Sequence, residues 1–395
     1  MTLHNRFVRN ALKNSYNNHI TDGKRKKIIV SSNSAWNLAN FRKPVIEALV
    51  ATGHDVVAIA PRDGQEARLT ALGATFRPIR MRSTGTSPFE DLRLLLEYIS
   101  AIRAERADLF FGFTAKPNIY GSLAARMLGV PVVATISGLG SAFLKGGGLG
   151  WLLLRLYRSA LARAQAIVFQ NEADRELFIH RGIVRSGKAR LVAGSGIDLA
   201  HFVAAPTEAH DDIRFLLIAR LLLDKGIGEF VEAARVVRAR HPQTRFQLLG
   251  GDGGDNPSAV PCDTLERWRA DGLVELLGVR EDVRPDIAVA DCVVLPSYRE
   301  GLSRSLLEAA AMARPLIASD VPGCREVVDH QVTGFLCEAR SAASLASAME
   351  RFISLSPAER SAMGAAGRRK VAAQFDQQLV ADFYLAEADR VRVRN

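Results

Sequence analysis

At 395 residues, 48% of them hydrophobic and 24% charged, the chain has the composition of a soluble globular protein, not a disordered or fibrous one, and the length of two domains. Its four cysteines, Cys262, Cys292, Cys324 and Cys337, show neither C-x-x-C spacing nor a histidine cluster nearby, which argues against a zinc site or disulfide framework and fits a reducing cytoplasm. The net charge of +10 is uneven, with 28 Lys and Arg against 14 Asp and Glu in residues 1–206, and without basic-aromatic interleaving this expects an anionic membrane surface or phosphorylated lipid as partner and no nucleic acid.

In chain order, residues 1–24 read as a polar extension with no apolar core of a secretory signal. No apolar run approaches the roughly 20 residues of a membrane-spanning helix. Residues 25–200 alternate short β-rich runs with amphipathic segments, the pattern of a parallel sheet with crossover helices. The strands are expected at 27–31, 55–60, 75–79, 108–112, 131–136, 166–170 and 190–192, with helical patterns such as 41–51 and 89–105. Residues 149–164 set Leu152, Leu153, Leu156, Tyr157, Ala160 and Leu161 beside Arg155, Arg158 and Arg163, which suits either a helix lying on anionic lipid or an amphipathic helix covering the sheet. The polar stretch 201–212, with its proline, reads as the linker. A second series occupies 201–375, with strands at 214–218, 245–249, 274–277, 292–296, 316–319 and 334–336, and a last helix at 376–393 is expected to cross back to the first domain.

Doubly wound sheets bind ligands outside the carboxyl ends of their strands, which confines the search to a few loops. After strand 214–218 come Arg220 and Lys225, two cations on one short loop, suited to a diphosphate. After strand 292–296 come Glu300, Gly301, Leu302 and Ser303, then Ser305, Leu306 and Glu308. Ser303 caps a helix whose N–H groups and dipole form an anion site. In the first domain, the loop 32–42 places Arg42 in the first turn of the next helix. Lys116 stands after strand 108–112, and Ser137 and Gly138 after strand 131–136.

The run P-S-Y-R-E-G-L-S-R-S-L-L-E-A, with A-R-L-L-L-D-K-G before it and S-D-V-P-G-C-R-E after it, resembles the retaining glycosyltransferases of the glycogen-synthase-like group. That resemblance implies an α/β GT-B fold, two Rossmann-like doubly wound parallel-sheet domains facing a cleft. It implies that Arg220 and Lys225 clamp the diphosphate of a UDP-sugar co-substrate and that Glu300 touches the sugar. Glu308 then binds the ribose, the backbone from Gly301 to Leu306 cradles phosphate, and Val279 and Arg280 lie beside the base. No Asp-x-Asp motif occurs, so neither metal nor cofactor is expected. K-P-N-I-Y-G-S-L-A-A-R with I-S-G-L-G is similar to the branch that extends polyprenyl diphosphate-linked saccharides, which makes Arg42, Lys116, Ser137 and Gly138 acceptor candidates and implies a peripheral enzyme on the inner face of the cell membrane. The rival readings are a UDP-sugar 2-epimerase on the same fold, a glycosyltransferase with a soluble acceptor, and a catalytically silent sugar-nucleotide binding protein.

Overall fold

The computed structural model describes residues 25–82, 87–138, 147–205, 212–254 and 256–392. The expected N-terminal extension, most of the loop 137–141 and the centre of the expected linker lie outside the described residues.

The chain divides into two compact units. The first takes described residues up to Phe169, then Leu177–Val192, then those from Val380 onward. Its sheet has seven strands: β1 (Lys27–Ser31), β2 (Asp55–Ala60), β3 (Thr75–Pro78), β4 (Leu109–Gly112), β5 (Val132–Ile136), β6 (Ala166–Phe169) and β7 (Ala189–Leu191). They lie in the order β3-β2-β1-β4-β5-β6-β7, all parallel. β4, β5 and β6 are buried at every position, which is why they read as continuous apolar runs without alternation. From the C-terminal helix Gln377–Asp389, Tyr384 packs edge-on against Phe111 and shares a 2.5 Å hydrogen bond with the Thr135 hydroxyl.

The second unit holds 170–176 and Ala193–Leu379. Its six strands are β8 (Arg214–Ile218), β9 (Arg245–Leu249), β10 (Glu275–Gly278), β11 (Cys292–Leu295), β12 (Leu316–Ser319) and β13 (Gly334–Cys337), ordered β10-β9-β8-β11-β12-β13 and all parallel. Phe215 stacks on Phe246 at 5.5 Å and meets Phe352 edge-on at 5.8 Å. Each such fully buried ring contributes about 1.5–3 kcal/mol of hydrophobic stabilisation.

Two expectations need correction. The change of unit falls at Val192/Ala193, not in the polar stretch 201–212, because Ile197 donates to the Phe375 carbonyl at 2.8 Å and accepts from Gln377 N–H at 3.1 Å. Phe202, inside the supposed linker, is buried, and its carbonyl accepts from Arg368 at 2.8 Å. The stretch after β1 is not an open loop. Ser34 accepts from Asn37 N–H at 3.1 Å and caps a helix, Ala35–Phe41, followed directly by Lys43–Ala51. Arg42 therefore ends the first of these helices and stands at the N-cap of the second, one residue ahead of its first turn.

Candidate active site

In the second unit the strand order reverses between the neighbours β8 and β11, and such switch points open the crevice in which these sheets take ligands. β8 runs into a loop tied to the one after β9, with Ala219 N–H on the Leu249 carbonyl at 3.1 Å and Leu221 N–H on the Gly251 carbonyl at 2.9 Å. A short 3-10 turn, Leu223–Lys225, then closes on Gly226 in the left-handed region at φ 72°. A Cβ on Gly226 would stand 2.1 Å from the Pro296 carbonyl oxygen, so glycine is required and the turn seats against the end of β11. Arg220 is exposed, and its side chain makes no hydrogen bond or ion pair among the described residues.

The loop after β11 is braced from several sides. Tyr298 N–H donates to the Asp224 carbonyl at 2.9 Å, and the buried Ser297 hydroxyl donates to the same oxygen at 3.2 Å. Tyr298 Oη donates to Glu229 at 2.6 Å while the Arg340 guanidinium lies 4.2 Å from its ring centre. Glu300 N–H reaches the Pro322 carbonyl at 3.0 Å and Ser303 N–H the Gly323 carbonyl at 2.9 Å. The outcome is one close contact: Lys225 Nζ lies 2.5 Å from Glu300 Oε1, with 22% and 14% of the two side chains in solvent. A lysine from β8 and a carboxylate from β11 thus meet at the switch point.

Ser303 caps the helix Arg304–Ala311, its hydroxyl accepting from Leu306 N–H at 3.4 Å. That bond occupies the Leu306 donor, and the Leu306 side chain is fully buried, so the expected phosphate cradle is narrower than 301–306. The N–H groups of Arg304 and Ser305 belong to the first turn, where helices leave donors without intrahelical partners. Leu302 packs where a Cβ on Gly194 would come within 2.8 Å of its Cδ2, and the Gly301 carbonyl accepts from the Asn171 amide at 2.7 Å. Glu308 is held by Arg304 Nε at 2.8 Å, and Arg304 also donates to the Ser195 hydroxyl at 3.0 Å and the Gly196 carbonyl at 3.1 Å. Burial pushes the Glu308 carboxyl above the usual carboxylate range, and the Arg304 charge only partly pulls it back. Val279 is 72% exposed and Arg280 lies 3.7 Å from Asp286, just past Gly278, whose carbonyl accepts from Gly250 N–H at 2.9 Å.

Sequence reading missed the support of this loop. Asp174, fully buried, is ion-paired with Arg299 and accepts from the Asn171 amide at 3.1 Å. Nothing local marks Asn171 or Asp174, which open an ordinary-looking helix at Glu172–His180. The glycines after β9 were also passed over, although a Cβ on Gly250 would stand 1.8 Å from the Ala219 carbonyl oxygen.

In the first unit, Arg42 is 3% exposed with its guanidinium 4.5 Å from the Phe113 ring centre, a place in the core and not on an exposed loop. Lys116 pairs with Asp91 at 3.1 Å, both side chains mostly buried. Ser137 and Gly138 are exposed, the Ser137 hydroxyl donating to the Phe113 carbonyl at 3.3 Å. The buried Cys324 thiol is pushed well up by desolvation, which suits a packing residue. Among the described residues no group of acidic, histidine or cysteine side chains is arranged to hold a metal ion, and no helix is long and apolar enough to cross a membrane.

Residues 42–194 match the family model described as a glycosyl transferase 4-like domain, and residues 212–354 match that of glycosyl transferases group 1. The chain is similar to the N,N'-diacetylbacillosaminyl-diphospho-undecaprenol alpha-1,3-N-acetylgalactosaminyltransferase of Campylobacter jejuni, 28% identical over 91% of this chain and 97% of that protein. It is also similar to the UDP-Gal:alpha-D-GlcNAc-diphosphoundecaprenol alpha-1,3-galactosyltransferase of Escherichia coli, 27% identical over 67% of this chain and 71% of that protein. Among solved structures, Anabaena HepE in complex with UDP-glucose superposes with a TM-score of 0.75 at 19% identity, covering 92% of this chain and 99% of that one. With two all-parallel sheets of matching fold and family models over most of its length, the chain belongs to the glycosyltransferases of the GT-B fold, a 4-like domain followed by a group 1 domain.

Proposed function

We propose that this glycosyltransferase moves a hexose or N-acetylhexosamine, with retention, from a UDP-sugar to a saccharide carried on a polyprenyl diphosphate such as undecaprenyl diphosphate, in making a surface polysaccharide or glycoprotein glycan. The observation that carries the donor half is the Lys225–Glu300 pair at the β8/β11 switch point, beside the capped N-terminus of the helix Arg304–Ala311. In this reading Arg220 and Lys225 hold the diphosphate, Glu300 meets the sugar and Glu308 takes the ribose hydroxyls. Val279 and Arg280 flank the base. Two cations and a helix dipole offset the charge that grows on the leaving diphosphate, without a metal ion. The acceptor hydroxyl attacks from the side the diphosphate leaves, and a departing phosphate oxygen takes its proton. The acceptor class is supported by the names of two relatives, both of which act on saccharides linked to diphospho-undecaprenol, and by the basic first half of the chain. Lys116, with Ser137 and Gly138, is the group we assign to the acceptor, at the inner face of the cell membrane.

The test is transfer itself. Incubation with labelled UDP-sugars and a bacterial membrane extract is expected to move label into the organic phase. Label appearing only in a water-soluble product, across a panel of UDP- and GDP-sugars, would remove the lipid-linked acceptor from the proposal.

The raised carboxyl of Glu308 gives a second expectation. As a carboxylate it accepts two hydroxyl hydrogen bonds, and once protonated it does not. Donor affinity therefore weakens as pH falls through a value above the ordinary carboxylate one, sooner than an exposed glutamate would allow. The stability contribution runs the other way: with the folded value raised, it is full below the unfolded carboxylate pKa and is lost as pH rises through the folded one. Calorimetric titration of UDP-sugar from neutral to acid pH is expected to show this weakening in the wild type and not in Glu308→Gln, which binds weakly throughout.

A further inference from the structure

In the first unit the strand order reverses between the neighbours β1 and β4, so that sheet has a ligand crevice of its own. The two loops that open it are joined, Asn33 N–H donating to the Thr114 hydroxyl at 3.0 Å. Beyond Asn33, the helix Ala35–Phe41 buries Ala35, Leu38 and Ala39, which leaves Trp36, Asn37 and Asn40 on its outer side. Trp36 is 49% exposed and is nevertheless held in place. Its backbone N–H donates to Asp63 at 2.8 Å, and its carbonyl accepts from the Asn40 amide at 2.9 Å. The Phe41 ring stands perpendicular to the indole at 5.2 Å. Asn37 is fixed as well. Its Oδ1 accepts from the buried Ser32 hydroxyl at 2.8 Å, while its Nδ2 has no hydrogen-bond partner among the described residues.

A pyranose ring has a face of C–H groups and an edge of hydroxyls, so its site needs a flat apolar surface with hydrogen-bonding groups beside it. An indole at a switch point, next to an amide with spare donors, supplies both. An isoprenyl chain needs contiguous apolar surface instead, and the residues beside Trp36 on this side of the helix are Asn37 and Asn40. We propose that Trp36 stacks on a sugar ring of the acceptor and that Asn37 donates to one of its hydroxyls. The proposal rests on the saccharide acceptor argued above and divides that acceptor between two loops. The sugar goes to the loop and helix after β1, and the diphosphate goes to Lys116 after β4. Because Asp63, Asn40 and Ser32 fix both side chains beforehand, little ordering is left to be done when the sugar arrives.

Two measurements on the full chain test it: transfer from labelled UDP-sugar at limiting amounts of membrane extract, and saturation-transfer NMR with the methyl glycosides of glucose, galactose, N-acetylglucosamine and N-acetylgalactosamine. Trp36→Ala is expected to raise the apparent KM for the acceptor about tenfold while the donor KM and the Tm stay at wild-type values. Trp36→Phe keeps a flat ring and should lose no more than about threefold. Asn37→Asp keeps the oxygen that Ser32 bonds and removes the amide donors, so its acceptor KM should rise about threefold or more. In the NMR experiment the wild type should pass saturation to the ring C–H protons of at least one sugar, and Trp36→Ala to none. An unchanged acceptor KM in Trp36→Ala, or a wild type that saturates no sugar or only those that Trp36→Ala saturates equally, would overturn the assignment. If Trp36→Ala melts early, Asn37→Asp decides, and a wild-type acceptor KM there counts against the site. Label found only in a water-soluble product, with the same loss in Trp36→Ala, would keep the sugar platform and remove the lipid-linked acceptor. With no transfer to any acceptor the proposed function falls, and the NMR comparison alone decides this inference.

Discussion

Lys225→Ala is expected to lower kcat/KM for the nucleotide-sugar donor by one to two decades, with the loss mainly in kcat. The lysine sits on a turn fixed by Gly226 against Pro296, so its ammonium is already in place before a donor arrives. A charge-assisted hydrogen bond contributes about 1.5–3 kcal/mol, and each 1.4 kcal/mol is about a decade in rate. Charge accumulates on the diphosphate as the glycosidic bond breaks, which places the loss in the transition state. The alanine variant has a further cost. Glu300, 14% exposed, keeps its carboxylate beside the site without the cation 2.5 Å away, and repels the leaving group. Lys225→Arg is expected to fall between the two, because a planar fork does not reproduce a compact point charge. Steady-state UDP release across donor concentrations checks this. Turnover of Lys225→Ala at the wild-type rate would show that the diphosphate is held elsewhere.

The strands were legible almost to the residue because a parallel sheet covered on both faces writes itself as short apolar runs between polar turns, as in β8 and β12. The loops that carry Lys225 and Glu300, a few residues beyond the ends of β8 and β11, and the capped helix that carries Glu308 were legible for a related reason, since loop and cap are local. What failed was non-local. Arg42 looked like a first-turn cation, but Phe113, beyond the end of β4, gives its guanidinium a ring to stack on and closes it into the core. The polar run after β1 hid a helix because Ser34 and Asn37 make a cap, which composition alone reads as loop. The unit boundary was misplaced because the backbone pairing that fixes it joins Ile197 to Phe375 and Gln377. The brace under the Glu300 loop was invisible for the same reason: Asn171 and Asp174 stand 130 and 125 positions from the residues they hold.

That brace leads to the other large effect. Asp174→Ala is expected to destabilise the second unit by about 3 kcal/mol, a fall of roughly 6–12 °C in Tm for a unit of this size. Asp174 is buried against Arg299 and the Asn171 amide, so removing its carboxylate leaves a guanidinium and an amide donor facing a space with no acceptor. Breaking a buried pair by deleting one partner costs about 3–5 kcal/mol, and the low end applies because Arg299 keeps 25% of its side chain in solvent. Catalysis should suffer separately. Arg299 immediately precedes Glu300, and Asn171 holds the Gly301 carbonyl, so loosening both frees the loop that carries Glu300, and on the proposed sugar-facing role of Glu300 this lowers kcat more than it raises KM. Removing both charges distinguishes the pair from its parts. Asp174→Ala with Arg299→Met should recover much of the lost Tm, because no charge is then left uncompensated, without recovering kcat, because the loop is still unbraced. Thermal melts and steady-state kinetics of the three variants decide it. If the single variant melts with the wild type, Arg299 finds water in place of Asp174 and the brace does not position Glu300.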